Sequence, residues 1–201
     1  MNQEKIEQHW KAILKEIGEN PERAGLKETP KRIAKMYKEL FRGYDKKQEP
    51  KVTVFPNGQD GVNYEQMIID TGNFYSHCEH HGVSFFGDYW FGYIPSADGK
   101  ILGLSKVARI VDYFAAKFQI QERLTQEVVD SIWKKLCANG TPPPKGMILI
   151  MKGKHLCKSM RGVKKDGWMT TSELKGEFLE PKKGNPLNEF LQLIKLKGSM
   201  E

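Results

Sequence analysis

The chain is poor in cysteine, with three in 201 residues. A count that is odd and sparse excludes a disulfide framework and fits a reducing compartment. Long apolar runs are also missing. Stretches such as Met147–Met151 fall far short of the ~20 residues of a membrane span, so no membrane partner is expected. The N-terminal MNQEKIEQHWK has no apolar signal core, which makes a cytoplasmic protein the expectation. Internal repeats and low-complexity segments are absent as well. What the chain does have is basic charge: 32 Lys and Arg against 25 Asp and Glu, a net +7. Such a balance predicts an anionic partner, either nucleic acid or a small polyphosphate. The basic residues are spread along the chain and no nucleic-acid motif accompanies them, so nucleic acid is not the expected partner. With 39% hydrophobic and 28% charged residues the composition is that of one globular domain and excludes wholesale disorder.

Periodicity divides the chain. Residues 1–43 read as an N-terminal helical segment of two helices. Ile6, Trp10, Ile13, Leu14 and Ile17 mark the first, and Ile33, Met36, Tyr37, Leu40 and Phe41 the second. Thr29-Pro30 supplies an N-cap and a proline at the first helical position, and Gly43 ends the helix. Tyr44–Pro50 is a charged linker. Residues 44–178 then read as the main domain, with strands at Val52–Phe55, Met67–Asp70, Val83–Ile94 and Met147–Met151. Between them lies a helix pair. Ser105 caps the first, with Val107, Ile110, Val111, Phe114 and Phe118 on one face. Leu124, Val128, Val129, Ile132, Trp133 and Leu136 form the buried stripe of the second. The order gives an α+β class with helices packed on one sheet face. Residues 179–201 follow as a C-terminal extension: a linker, then the apolar stretch Leu187–Leu196, a helix or a docking arm.

Four of the five histidines lie within three residues of a cysteine. Cys78-Glu79-His80-His81 places a thiolate and an imidazole close enough to hold one ion, and His155-Leu156-Cys157 adds a second pair that would share a face of a strand. Cysteine and histidine together favour Zn²⁺. The spacing admits two arrangements. Cys78, His81, His155 and Cys157 close a four-ligand structural site, or Cys78, His81 and Cys157 hold the ion with a position left for water. In the second arrangement His80 and His155 flank the metal as acid/base groups. Cys137 falls on an apolar helix face and reads as core.

A second constellation suits an anion. Ser105-Lys106-Val107-Ala108-Arg109 opens a helix with free N–H groups, and Lys106 and Arg109 share the side of its first turn. Arg161 and Arg32 offer further cations, and the set beside a metal points to a triphosphate. Gln121-Glu122 sets an amide beside a carboxylate, and a carboxylate can accept both hydrogens of a guanine N1–H and 2-amino edge. A charge favourable to the helix dipole accounts for Glu122 equally.

Cys78-Glu79-His80-His81, Gly103-Leu104-Ser105-Lys106, Gln119-Ile120-Gln121-Glu122-Arg123-Leu124-Thr125 and His155-Leu156-Cys157 with Arg161-Gly162 closely resemble GTP cyclohydrolase I. The resemblance runs from about Thr29 to Phe178 in the family's order and spacing. It implies a tunnelling fold, an antiparallel sheet with a packed helix pair, whose subunits close into pentamers stacked as a homodecamer with active sites between subunits. It implies conversion of GTP and water to 7,8-dihydroneopterin triphosphate and formate, the opening step of pterin, folate or 7-deazaguanine synthesis. Residue by residue it implies Cys78, His81 and Cys157 as Zn²⁺ ligands, with the metal activating water against guanine C8. His80 and His155 resemble the proton-transfer residues, and Ser105 the residue assisting the ribose rearrangement. Lys106, Arg109, Arg161 and Arg32 resemble the triphosphate ligands, and Glu122 the guanine anchor with Gln121 beside it. The chain departs from the family at Lys158 and Ser159, at Lys152 and Lys154, and in residues 179–201, which run past the family's usual end. Two other readings stand beside the hydrolase. One is a nicotinamide-dependent nitrile reductase on the same fold, which needs no zinc triad. The other is a nucleic-acid-binding protein with an inert four-ligand zinc, which would bind in a salt-sensitive way.

Overall fold

Two helices open the chain, α1 (Gln3–Glu16) and α2 (Thr29–Leu40). Asn2 caps α1 by accepting the Lys5 N–H at 3.0 Å. The two helices pack through Trp10 and Tyr37, whose rings meet edge-on at 6.3 Å. Thr29 is not a cap, contrary to the sequence expectation. It is already helical, because the Thr29 N–H donates to Leu26 O and the Arg32 N–H to Glu28 O, so the preceding turn runs straight into α2. The linker 44–50 contains two short 3₁₀ turns, Arg42–Tyr44 leading in and Lys46–Gln48 following.

The strands β1 (Val54–Pro56), β2 (Ile68–Cys78), β3 (Ser84–Ile94) and β4 (Lys100–Leu102) come next. After them run α3 (Lys106–Ala115), β5 (Phe118–Gln119) and α4 (Gln121–Leu136). The chain ends with β6 (Gly146–His155), the single turn α5 (Leu156–Ser159), β7 (Trp168–Gly176) and α6 (Pro186–Lys197). This computed structural model describes every residue except 60, 182–183 and 198–201. No helix among the described residues is long and apolar enough to cross a membrane.

β1 and β4 make a two-stranded ribbon, and the other five strands form a sheet in the order β5-β2-β3-β6-β7. All its pairings are antiparallel save β5 against β2. One face of the sheet carries Phe74, Phe85, Tyr89, Phe91, Met147, Leu149 and Met151, buried against α3 and α4. Leu124, Val128, Val129 and Ile132 of α4 are fully buried there, each contributing about 1.5–3 kcal/mol by removal from water. The opposite face carries a second cluster in which Phe190 of α6 packs with Ile148 and Phe178. The apolar stretch after residue 186 is therefore a helix docked on its own sheet.

Several elements differ from the sequence expectation. β2 continues eight residues past Asp70, through a Thr-Gly-Asn run that reads as a turn. Gly72 sits there because it lies opposite Tyr89, where a Cβ would come within 2.8 Å of the ring. β7 is a strand of Thr, Ser, Glu and Lys with little apolar signal. Phe118 belongs to β5 and not to the face of α3. Ser105 precedes α3 without capping it: at φ −81° and ψ 5° it lacks the extended backbone that aims an N-cap oxygen at the helix N–H groups.

Candidate metal centre

β2 ends on Cys78 and hands the chain to a tight turn. The Cys78 N–H donates to Val83 O and the Gly82 N–H to Cys78 O, both at 2.8 Å. Cys157 arrives on α5, immediately after β6. The donor atoms of Cys78, His81 and Cys157 all lie within 4.8 Å of one another, and Cys78 Sγ is 3.9 Å from His81 Nδ1. Tetrahedral coordination by such donors sets them roughly 3.5–3.8 Å apart, so two thiols and an imidazole at this spacing are compatible with a metal site. Cys78 is buried, Cys157 half-buried and His81 exposed, which leaves one side of the group open to solvent. Burial and the neighbouring Cys78 thiol push the Cys157 thiol above its ordinary range, while Arg161 draws it back.

His155 and Cys157 do not share a strand face. His155 is the last residue of β6 and Cys157 belongs to α5, so the backbone turns between them and His155 falls outside the donor group. Its ring stacks on Phe85, with centroids 4.5 Å apart and planes 6° from parallel. Its Nε2 lies 3.0 Å from Gln121 Oε1. The orientation of that amide is settled by its acceptors. Gln121 Nε2 donates to Met151 O at 3.0 Å and to Met169 O and Thr171 Oγ1 at 3.1 Å, and carbonyl oxygens can only accept. Gln121 Oε1 therefore faces the imidazole, Nε2 of His155 carries the proton, and Nδ1 of the neutral ring keeps its lone pair. Burial holds the His155 pKa below its ordinary value. Glu122 opposes that shift and Lys158 reinforces it.

Gln121 itself is fully buried. Its side chain bonds to His155 on one side and to β6 and β7 on the other. Gly153 makes the room, since a Cβ there would come within 2.3 Å of Gln121 Oε1. Glu122, next in sequence, is exposed on the first turn of α4 and acts electrostatically on His155. His80 Nδ1 lies 3.8 Å from Cys78 Sγ, and its ring stands 6.2 Å from that of His81 at 68°. Both imidazoles thus set Nδ1 near the same sulfur, with their ring planes crossed.

The anion constellation lies elsewhere. Ser76 Oγ donates to Ala115 O at 2.8 Å, which ties the C-terminal end of α3 to β2 two residues before Cys78. At its other end, Leu102 N donates to Tyr93 Oη at 3.0 Å, and Tyr93 pairs with Ile68 at the far end of β2. Along the helix axis Ser105 is therefore about 15 Å from the Ala115 end, Lys106 about 13 Å and Arg109 about 9 Å. The path between runs through core, past Val107, Ile110 and Val111. Leu104, beside Ser105, is 90% exposed. Arg32 is likewise on the first turn of α2, whose distal end docks through Phe41 on His77 at 4.9 Å. Of the cations expected around the metal, Arg161 lies near enough to Cys157 to act on its thiol.

Three features of the site carry no sequence signal: the Phe85 stack, the Gln121 amide and the pairing of Glu79 with Arg123. His77 is a fourth. Its Nδ1 is buried with no hydrogen-bond partner among the described residues, and burial lowers its pKa. A depressed imidazole binds fewer protons folded than unfolded, so stability falls as pH drops below the ordinary value of about 6.5 towards the folded one. His77→Phe should flatten that part of the stability–pH curve relative to the unaltered chain, measured by urea unfolding between pH 7 and 5. An unchanged slope would show that His77 does not contribute.

The sequence model of the GTP cyclohydrolase I family matches residues 6–195. That span takes in α6, so most of residues 179–201 falls within the family's extent, contrary to the expectation of an addition beyond it. A protein of Thermobifida fusca named GTP cyclohydrolase 1 is 43% identical over 90% of this chain and 83% of its own. The protein of that name from Streptomyces avermitilis is 41% identical over 96% and 90%, and that from Dehalococcoides mccartyi 41% over 98% and 99%. A full-length match of this kind, on a chain whose Cys-Glu-His-His turn and second cysteine converge in space, places it in one family: the chain belongs to the GTP cyclohydrolase I family.

Proposed function

We propose that the chain hydrolyses GTP at guanine C8 to 7,8-dihydroneopterin triphosphate and formate. The convergence of Cys78, His81 and Cys157 into one solvent-facing donor group carries the reading. Zn²⁺ is the ion that group suits, and when bound it supplies a nucleophile from water near neutral pH and polarises the reacting carbon.

The chain's own residues do the rest. His155, with Nε2–H fixed by Gln121, offers Nδ1 for taking up and returning protons during ring opening, and its low pKa keeps the ring neutral and able to accept. His80, close to Cys78 and outside the group of three donors, is the second proton carrier. Glu122 accepts the guanine N1–H and 2-amino hydrogens, and Arg161 brings positive charge to the metal's open side. Ser105, uncapped and exposed, assists the ribose rearrangement, while Lys106 and Arg109 hold the triphosphate with Arg32. Because α3 starts at the far end of the sheet and carries Ser105 and Lys106 there, the anion half of each site comes from a neighbouring subunit. That favours a closed oligomer of tunnelling-fold subunits, a pentamer stacked to a decamer.

The test follows formate and pteridine together with zinc-loaded protein and GTP. Equal amounts of both, abolished by a chelator and restored by zinc, are expected. Formate without pteridine would remove the rearrangement from the reading. No turnover by folded, zinc-loaded protein would remove the hydrolase altogether.

A further inference from the structure

The turn Cys78–Gly82 brings two of the three metal donors, and five residues with one short loop bond set hold little rigidity of their own. Its ties to the helix layer run through Glu79. The Glu79 N–H donates to Gln119 O at 3.1 Å, and its carboxylate pairs with Arg123 on the first turn of α4. Arg123 is itself held on two other sides: Nε donates to Gln119 Oε1 at 2.8 Å, and the nitrogen that reaches Glu79 also donates to Phe118 O at 3.2 Å. Gln119 is fully buried and passes the chain on, its Nε2 donating to Glu127 Oε2 at 2.7 Å and to Phe114 O at 3.0 Å. Glu127 closes it on Lys117 at 2.8 Å. The guanidinium is thus a fixed fork. Its geometry is set by a buried amide four residues before it on β5, unlike a surface pair whose two ends are free.

We propose that Arg123, oriented by Gln119 and Glu127, is a positioning residue of the metal centre that locks Glu79 and so presets the spacing of Cys78 and His81. The proposal rests on the reading of Cys78, His81 and Cys157 as a metal site. Without the lock the turn must be ordered when the ion binds, and that ordering entropy is charged against affinity. The pair itself is partly exposed and contributes little to folding, so its removal acts on metal binding and scarcely on the fold. Outer partners that orient metal ligands typically matter 10–100-fold in affinity.

The experiment titrates zinc into metal-free oligomer against a chromophoric chelator, for the unaltered chain, Glu79→Gln, Arg123→Met and the double variant, with thermal midpoints of the metal-free forms alongside. Each single variant should weaken zinc binding about 10–100-fold with the metal-free midpoint nearly unchanged. The double variant should be no weaker than the weaker single, because the two residues act through one contact. Arg123→Lys, which keeps the charge and loses the fork, should fall between. Unchanged affinity in both single variants would overturn the proposal, and so would effects that multiply in the double. Should Arg123→Met lose metal-free stability, Glu79→Gln decides alone, since it leaves the α4 contacts in place. Failure of the underlying site is told apart by Cys157→Ser: if that variant binds zinc as tightly as the unaltered chain, the donor group is not the site, whatever Arg123 does.

Discussion

Cys157→Ser should leave a folded protein that holds little zinc and turns GTP over roughly 10³-fold more slowly or worse, the several kcal/mol of transition-state stabilisation expected of a metal centre. Cys157 is the informative ligand to remove. Cys78 lies in the main core among Phe74 and Phe85, so replacing it disturbs packing and metal together. Cys157 is half-buried on a four-residue helix that ends at Ser159, and serine is close to it in size. Zinc per subunit, far-UV circular dichroism and formate release measured on one preparation separate the outcomes. Lost zinc and turnover with an unchanged spectrum agrees with three protein ligands and an open position. Unfolding on the same substitution would mean that the metal staples the fold, as a closed four-ligand site does. His155→Ala supplies the complement. Its ring is held by Gln121 and Phe85 apart from the donor group, so it should keep zinc and lose turnover, whereas a fourth ligand would take the metal with it.

The metal group was readable because its chemistry is local in sequence: two donors in one turn and a third in a motif of three residues. The roles of the surrounding residues were less so, since each depends on contacts that span the chain. Gln121 reads as a ligand-facing amide beside Glu122, but its partners stand 30–50 residues away on β6 and β7. Glu79 and Arg123 are 44 residues apart, and no spacing rule joins them. The same limit governs the elements. The stripe of α4 is apolar and buried at every position but Trp133, which is half-buried. The stripe of α1 is as periodic, yet Leu14 is its one buried residue, while Ile13 and Ile17 are 43% and 70% exposed. Periodicity shows which face is apolar and leaves open what covers it. β2 and β7 were hidden for a different reason: half their length is Thr, Ser, Gly, Asn or charged, residues whose strand character comes from flanking strands and not from themselves.

Two inactive variants should restore activity when assembled together. Cys157→Ser disables the metal half of a site, and Lys106→Ala with Arg109→Ala disables the anion half. In this chain Lys106 opens α3 and Arg109 lies in its first turn, while the metal group lies near its last residue, with the packed Ile110 and Val111 between. A single ligand cannot reach from one to the other through close-packed core. If neighbours in a ring each lend one half, subunits co-expressed in equal amounts and mixed at random unite two intact halves at about a quarter of the interfaces, and about a quarter of the original turnover should return. Refolded or co-expressed mixtures, compared with each variant alone at the same total concentration, give the measurement. Activity that stays at the level of the separate variants would place both halves within one subunit and require α3 to move by a helix length. The exposed Leu104 beside Ser105 gives the assembly a physical basis. A large apolar side chain left in water next to Ser105 is explained when a neighbouring subunit covers it, and on the proposed reading the same contact would carry Lys106 and Arg109 towards that neighbour's metal group.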